Sequence, residues 1–206
     1  MYALTVKQPW AQAIAHFGKD VENRSRQPPA HLLGQRVAIH VSQARDHWDN
    51  AFADSFSPRH IPAHLLPLFD WVGKTGVPLD AKTPPAAGRI IATALLVGGV
   101  KPFPTLDSPG NAYVSVPQRE DGSLIGFFSA WCGMDSPWFL PGKIGWVLDD
   151  VRPLRQPVGE PCPWCDGGSR PGCLRCSGGV IAIRGQVYPF ALSPEVEAAV
   201  KAQEAA

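Results

Sequence analysis

A chain of 206 residues with 45% apolar and 18% charged side chains has enough apolar surface for one folded core and is not a disordered tail. Its formal net charge of +1 excludes a chain-wide basic surface, so any nucleic-acid contact has to be a local patch or pocket. No run approaches the roughly 18 apolar residues of a membrane span, and Met1-Tyr2-Ala3-Leu4-Thr5 lacks the basic stretch and long apolar run of a secretory signal. The expected setting is cytoplasmic, with no membrane partner and thiols kept reduced.

Pro and Gly are frequent, at 22 and 20 residues, which points to many turns and short elements. Tyr2 to Val6 alternates and predicts a short strand. Pro9 suits the first position of a helix running to Phe17, with Gly18 at its end. Lys19 to Arg26 is polar and follows that cap, and Gln35 to Val41 predicts a buried strand. Helical stretches are expected at Ala44 to Phe56, where Trp48, Phe52 and Phe56 make one apolar stripe, and at His64 to Val72. A Pro-rich loop from Lys74 to Ala87 leads to the strongest strand candidate, Arg89 to Val97. Residues 101–142 read as irregular, with apolar pieces at Ala112 to Val116 and Leu124 to Trp131. Strands are expected again at Ile144 to Leu148, Val180 to Arg184 and Gln186 to Leu192. Ser193 as N-cap and Pro194 as first residue open a final helix, and the tail from Lys201 to Ala206 is expected to fray. Many short strands with a few helices make an α+β protein on a small, partly closed sheet, one domain over 1–206.

Cys162-Pro-Trp-Cys165 and Cys173-Leu-Arg-Cys176 are two C-x-x-C knuckles, each followed by paired glycines that let the backbone turn tightly. Two such knuckles supply four thiolates for one tetrahedral ion, so zinc is the expected cofactor. A set of four cysteines closes the coordination sphere and favours a structural role, contributing on the order of 10 kcal/mol to ordering the 160–179 segment. Two disulfides or a redox pair are the competing readings. Disulfides are disfavoured among reduced thiols, and a redox pair needs no matching second pair. The local pattern resembles half of the cysteine-rich zinc module of the DnaJ chaperones. A zinc ion with four thiolates carries net negative charge, and Arg152, Arg155, Arg170, Arg175 and Arg184 are available either to balance it or to form a basic face for phosphates.

Gln8-Pro9-Trp10-Ala11 opens the first helix, and Lys19-Asp20-Val21-Glu22-Asn23-Arg24-Ser25 lies just beyond its end. A desolvated lysine drops toward neutrality and can serve as a base, whereas one beside a glutamate stays charged. Arg24 has the fork that clamps a phosphate or carboxylate. Chemistry alone favours reading this stretch as a solvated charged turn, since surface Lys and Glu are common.

The string from Ala3 to Arg26, ALTVKQPWAQAIAHFGKDVENRSR, resembles the opening of ASCH-domain proteins, whose members show Leu-Ser-x-x-Gln-Pro-Trp-Ala and then Gly-x-Lys-x-x-Glu-x-Arg-Ser. LGQRVAIHVS (Leu33 to Ser42), GRIIATALL (Gly88 to Leu96), GWVLDDVRPLRQPV (Gly145 to Val158) and RGQVYPFAL (Arg184 to Leu192) resemble later strands of that family in the correct order. Here Gly18 directly precedes Lys19, where many members place one residue between, and regions 43–87 and 98–142 carry no recognisable match. The resemblance implies a PUA-like β-barrel flanked by helices, with the cysteine loop inserted before the last strand. It also implies a cleft that binds RNA or a modified nucleoside, with DNA as a further candidate partner. Lys19 and Arg24 would then meet phosphate or base, and Glu22 and Asn23 a base edge. Gln8 and Trp10 would stand beside that cleft, Trp10 either stacking on a base or holding its helix in the core. His40 and Ser42 share one strand face and would line the floor, with a satisfied core histidine as the plainer reading of His40. One branch of the family removes the acetyl group of N4-acetylcytidine with a Lys, a Thr and a Glu. Lys19 falls on that Lys, while Glu22 stands where the Thr is expected. A ribonuclease reading would use Lys19 with Glu22 or His40 as acid and base. A third reading is a protein-interaction adaptor that uses the cysteine loop and Trp164.

Overall fold

Alternation of buried and exposed residues shapes the first strand, β1 (Tyr2–Gln8), which turns Ala3, Leu4, Val6 and Gln8 inward. The computed structural model describes residues 1–45, 86–102, 112–115, 136–140, 142–165, 176 and 179–204. Helix α1 (Trp10–His16) follows Pro9 and buries Ala11, Ala13, Ile14 and Ala15. Its first turn is capped by a neighbouring side chain rather than by Pro9: Gln8 Oε1 accepts the Gln12 amide at 3.2 Å. Gly18, with φ +69°, ends the helix in the left-handed conformation that glycine adopts without steric penalty.

The next segments build a sheet. They are β2 (Val21–Arg24), β3 (Arg36–Arg45), β4 (Ile90–Pro102), β5 (Ala112–Ser115) and β6 (Ile144–Val158), then β7 (Glu160–Pro161), β8 (Val180–Ile181) and β9 (Phe190–Ala191). Helix α2 (Pro194–Glu204) closes the chain. Seven strands form one sheet in the order β2–β6–β4–β3–β1–β9, with β5 paired to β4, while β7 and β8 make a separate antiparallel ribbon. The architecture is α+β as expected. Its strand path starts at β2 and ends at β9, and no pairing among the described residues closes it into a barrel.

Several elements differ from their sequence-based bounds. The Lys19–Arg26 stretch contains a strand, because Val21 to Arg24 pair antiparallel with Val147 to Ile144 of β6. Strand β3 runs on to Arg45, through the expected start of the helix at Ala44; the rest of that helix, the one at 64–72 and the apolar piece at 124–131 lie outside the described residues. Strand β6 continues past Leu148 to Val158. The two strands expected over 180–192 shrink to residue pairs; between them Ile183 and Gln186 are held by the His40 and Thr5 side chains. Helix α2 does not fray at Lys201. It reaches Glu204, and Gln203 exchanges hydrogen bonds with the Gln156 backbone at 3.0 and 3.1 Å.

The chain divides into two compact units, Met1–Phe17 with Ala38–Ala92 and Arg152–Ala206, and Gly18–Val37 with Thr93–Val151. The core of the first gathers Ala3, Ala38, Ile90, Val158, Ile183, Phe190, Leu192, Val196 and Val200, with Met1 and Leu154 packed at its margin. The second buries Val21, Leu32, Val37, Leu96, Val97, Val100, Trp146 and Val147. Within it Arg36 clasps the Asp150 carboxylate and donates to the Asp150 carbonyl at 3.0 Å and to Thr93 Oγ1 at 3.2 Å. That clasp holds Asp150 in the left-handed region at φ +43°, where non-glycine residues are uncommon.

Candidate functional site

In the second unit, Lys19 is placed by the turn after α1 and by the pairing of β2 with β6. Its side chain is 3% exposed, an unusual position for an ammonium group. Lys19 Nζ donates to the Val21 carbonyl, lies 3.9 Å from Glu22 Oε2 and stands 5.7 Å over the Trp138 ring. Burial pushes its pKa below the usual lysine range. Glu22 and then Asp20 oppose that shift, and Arg24 adds to it. Glu22 Oε1 also pairs with Arg24 Nε at 3.3 Å, and the Arg24 guanidinium stands 5.7 Å over Trp146. The register explains this grouping. Glu22 faces Trp146 and Arg24 faces Ile144 across the ladder, so these four share one face of the β2–β6 pair.

The cluster is braced by the 136–140 segment. Ser136 Oγ bonds the Asp20 carboxylate and accepts the Trp138 amide at 3.2 Å. Asn23 uses both ends of its amide: Nδ2 donates to the Trp138 carbonyl at 2.8 Å, and Oδ1 accepts the Leu140 amide at 2.9 Å. Trp146 Nε1 donates to the Arg26 carbonyl at 2.7 Å. A Cβ at Gly145 would come within 2.7 Å of Val21 and 2.9 Å of Phe139, so glycine there lets the segment approach the strand. Trp138 and Trp146 were not singled out from the sequence as partners of Lys19 and Arg24. Their separation along the chain conceals the contact.

The other candidates belong to the first unit. Gln8 is buried and caps α1, while Trp10 and Ser42 are half-buried. His40 is fully buried, with Nε2 3.1 Å from the Ile183 carbonyl, Nδ1 3.2 Å from Thr5 Oγ1 and its ring edge-on to Phe190. The carbonyl requires Nε2 to donate, so Nδ1 accepts from the Thr5 hydroxyl, which in turn accepts the Gln186 amide at 3.2 Å. Burial lowers the His40 pKa, opposed by its bond to Ile183.

The same unit carries a thiol cluster at the β7–β8 ribbon. The sulfurs of Cys162, Cys165 and Cys176 lie within 4.8 Å of one another, and Cys173 lies outside the described residues. Cys165 Sγ and Cys176 Sγ are 3.6 Å apart, in hydrogen-bond contact and without a disulfide between them. Thiolates bound at about 2.3 Å to a tetrahedral ion stand about 3.8 Å apart, against about 2.05 Å for a disulfide. The three thiols therefore fit a metal ion and sit too far apart for a covalent bridge. The Cys162 amide bonds the Gly179 carbonyl at 2.8 Å, and the Cys165 amide bonds the Cys162 carbonyl at 3.3 Å in a tight knuckle. Arg89, absent from the arginines singled out by proximity in sequence, is tied to the same ribbon through the Val180 and Ile181 carbonyls.

Among the described residues no helix is long and apolar enough to cross a membrane. A comparison with protein-family models gives no match for this chain, and a comparison with curated proteins gives none either.

Proposed function

We propose that the chain binds RNA or a modified nucleoside through the Lys19–Arg24 segment of a PUA-like domain, with zinc held structurally by Cys162, Cys165, Cys173 and Cys176. The observation that carries this reading is the buried Lys19, paired with Glu22 and Arg24 and set among two indole rings. An ion pair needed only for the fold sits at the surface at little cost, whereas burying an ammonium group costs several kcal/mol. Two cations for phosphate, a carboxylate for a base edge and two aromatic rings make a set suited to a nucleotide. The resemblance of Ala3–Arg26 to ASCH-domain proteins supports the same assignment. A closed set of thiolates leaves zinc no open position, so it would supply order to the loop rather than chemistry.

The test is binding of single-stranded RNA oligonucleotides and of N4-acetylcytidine to wild type, Lys19→Ala and Arg24→Ala. Binding that weakens as salt rises and drops at least tenfold in both variants supports the proposal. Absence of binding to every RNA and nucleoside tried at millimolar concentration rules it out.

A second reading, hydrolysis of a nucleoside amide or of RNA, is favoured by one observation: desolvation moves Lys19 toward the neutral form that a general base requires. Glu22 lies beside it at the position where the resembling amidohydrolases have a threonine. Release of acetate from N4-acetylcytidine, or cleavage of RNA, abolished by Lys19→Ala separates this reading from binding alone.

A further inference from the structure

We propose that Arg89 is the positioning residue of the thiol cluster, fixing the return strand of the metal ribbon and balancing the charge of the thiolates of Cys162, Cys165 and Cys176. The inference rests on reading that cluster as a zinc site. Each thiolate that joins a divalent ion beyond the second leaves the centre more negative, and a nearby cation offsets that charge. Among the arginines near the loop in sequence, Arg152, Arg155 and Arg184 are exposed, and Arg170 and Arg175 lie outside the described residues. Arg89 is partly buried and already committed to the ribbon. Its Nη1 donates to the Ile181 carbonyl at 2.9 Å and its Nη2 to the Val180 carbonyl at 3.2 Å, a forked contact suited to a guanidinium.

The surroundings are shaped to this side chain. A Cβ at Gly159 would overlap the Arg89 guanidinium and come within 2.6 Å of the Ile181 carbonyl. Gly159 has no left-handed backbone to explain it, so the close passage of Arg89 is the reason for glycine there. The strand that Arg89 holds is tied on both sides. The Cys162 amide bonds Gly179, and the Ile183 amide bonds the Gly88 carbonyl at 2.7 Å. Gly88 and Arg89 thus form the footing on which residues 179–183 return from the cysteines.

Full-length wild type, Arg89→Gln, Arg89→Lys and Gly159→Ala are compared by zinc content and by the rate of zinc release to a chromophoric chelator. Glutamine removes both the charge and the fork; lysine keeps the charge and removes only the fork. Arg89→Gln is expected to release zinc about tenfold faster or more, Arg89→Lys to recover part of the loss, and Gly159→Ala to mimic Arg89→Gln by displacing the guanidinium. Release at the wild-type rate in Arg89→Gln, or equal release from the Gln and Lys variants, overturns the assignment. Should Arg89→Gln not fold, faster release in both Arg89→Lys and Gly159→Ala supports the assignment, and any other result overturns it. Wild type that holds no zinc defeats the underlying metal reading, an outcome visible before any variant is compared.

Discussion

Two buried bases illustrate how position sets chemistry at the residue scale. His40 sits in a directed chain, from the Gln186 amide through the Thr5 hydroxyl to Nδ1, and from Nε2 to the Ile183 carbonyl. A proton added at Nδ1 would face the Thr5 hydroxyl with a second donor. Because the folded-state pKa lies below the ordinary histidine value of 6.5, the folded protein takes up this proton later than the unfolded chain. The contribution is intact above pH 6.5 and is lost as pH falls below it. Urea denaturation across pH 5 to 8 is expected to show this loss in wild type and a smaller one in His40→Gln. Removing the ring with His40→Ala is expected to cost about 2–4 kcal/mol, from the orphaned carbonyl and the void. Lys19 follows the same sign at higher pH. Its folded pKa lies below 10.5, so wild type is expected to gain stability relative to Lys19→Met as pH rises toward 10.5. Parallel pH profiles for the two proteins would contradict a desolvated Lys19.

At the scale of elements, α2 shows its start signal working as read. Ser193 Oγ accepts the Val196 amide at 3.4 Å, and the Glu197 amide bonds the Ser193 carbonyl at 2.9 Å. Ser193→Ala is expected to lower stability by about 1 kcal/mol in thermal or urea denaturation. Glu197 adds a tie across the unit, bonding Lys201 at 2.6 Å and the Met1 amino group. Those contacts, Lys201 first, hold its pKa down at about 2 against 4.5 ordinarily. Its contribution is therefore present above pH 4.5 and is lost as pH falls toward 2; Glu197→Gln is expected to remove that part of the acid slope. Strand β2 depends on a different local feature, the missing side chain at Gly145. Gly145→Ala pushes against Val21 and Phe139, with an expected cost of about 1–3 kcal/mol and, if the proposed function holds, weaker RNA binding, since Phe139 belongs to the segment that carries Trp138. Unchanged stability and binding in that variant would show that the segment moves without consequence.

For the whole molecule, the thiol ribbon and the Lys19 cluster belong to different units. Chelation is expected to raise hydrogen exchange over residues 160–165 and 179–183 while leaving residues 19–24 protected, as mass spectrometry of peptides would report. Much of the framework was legible in the chain itself. Alternation marked β1, apolar β-forming runs marked β3, β4 and the first part of β6, the Ser193-Pro194 pair marked α2, and cysteine spacing marked a thiol cluster before the last strand. These signals are local, since strand period, cap chemistry and knuckle spacing are set by neighbours along the backbone. Tertiary structure decided the rest. It brought Trp138 and Trp146 onto Lys19 and Arg24, seated Arg89 against the return from Cys176, and bonded both nitrogens of His40 inside the fold. Those outcomes depend on desolvation and on partners far apart in the chain, such as Asn23 with Trp138 and His40 with Ile183. A residue's type states which charges and hydrogen bonds it can offer; only the packed chain determines whether water or another side chain takes them up.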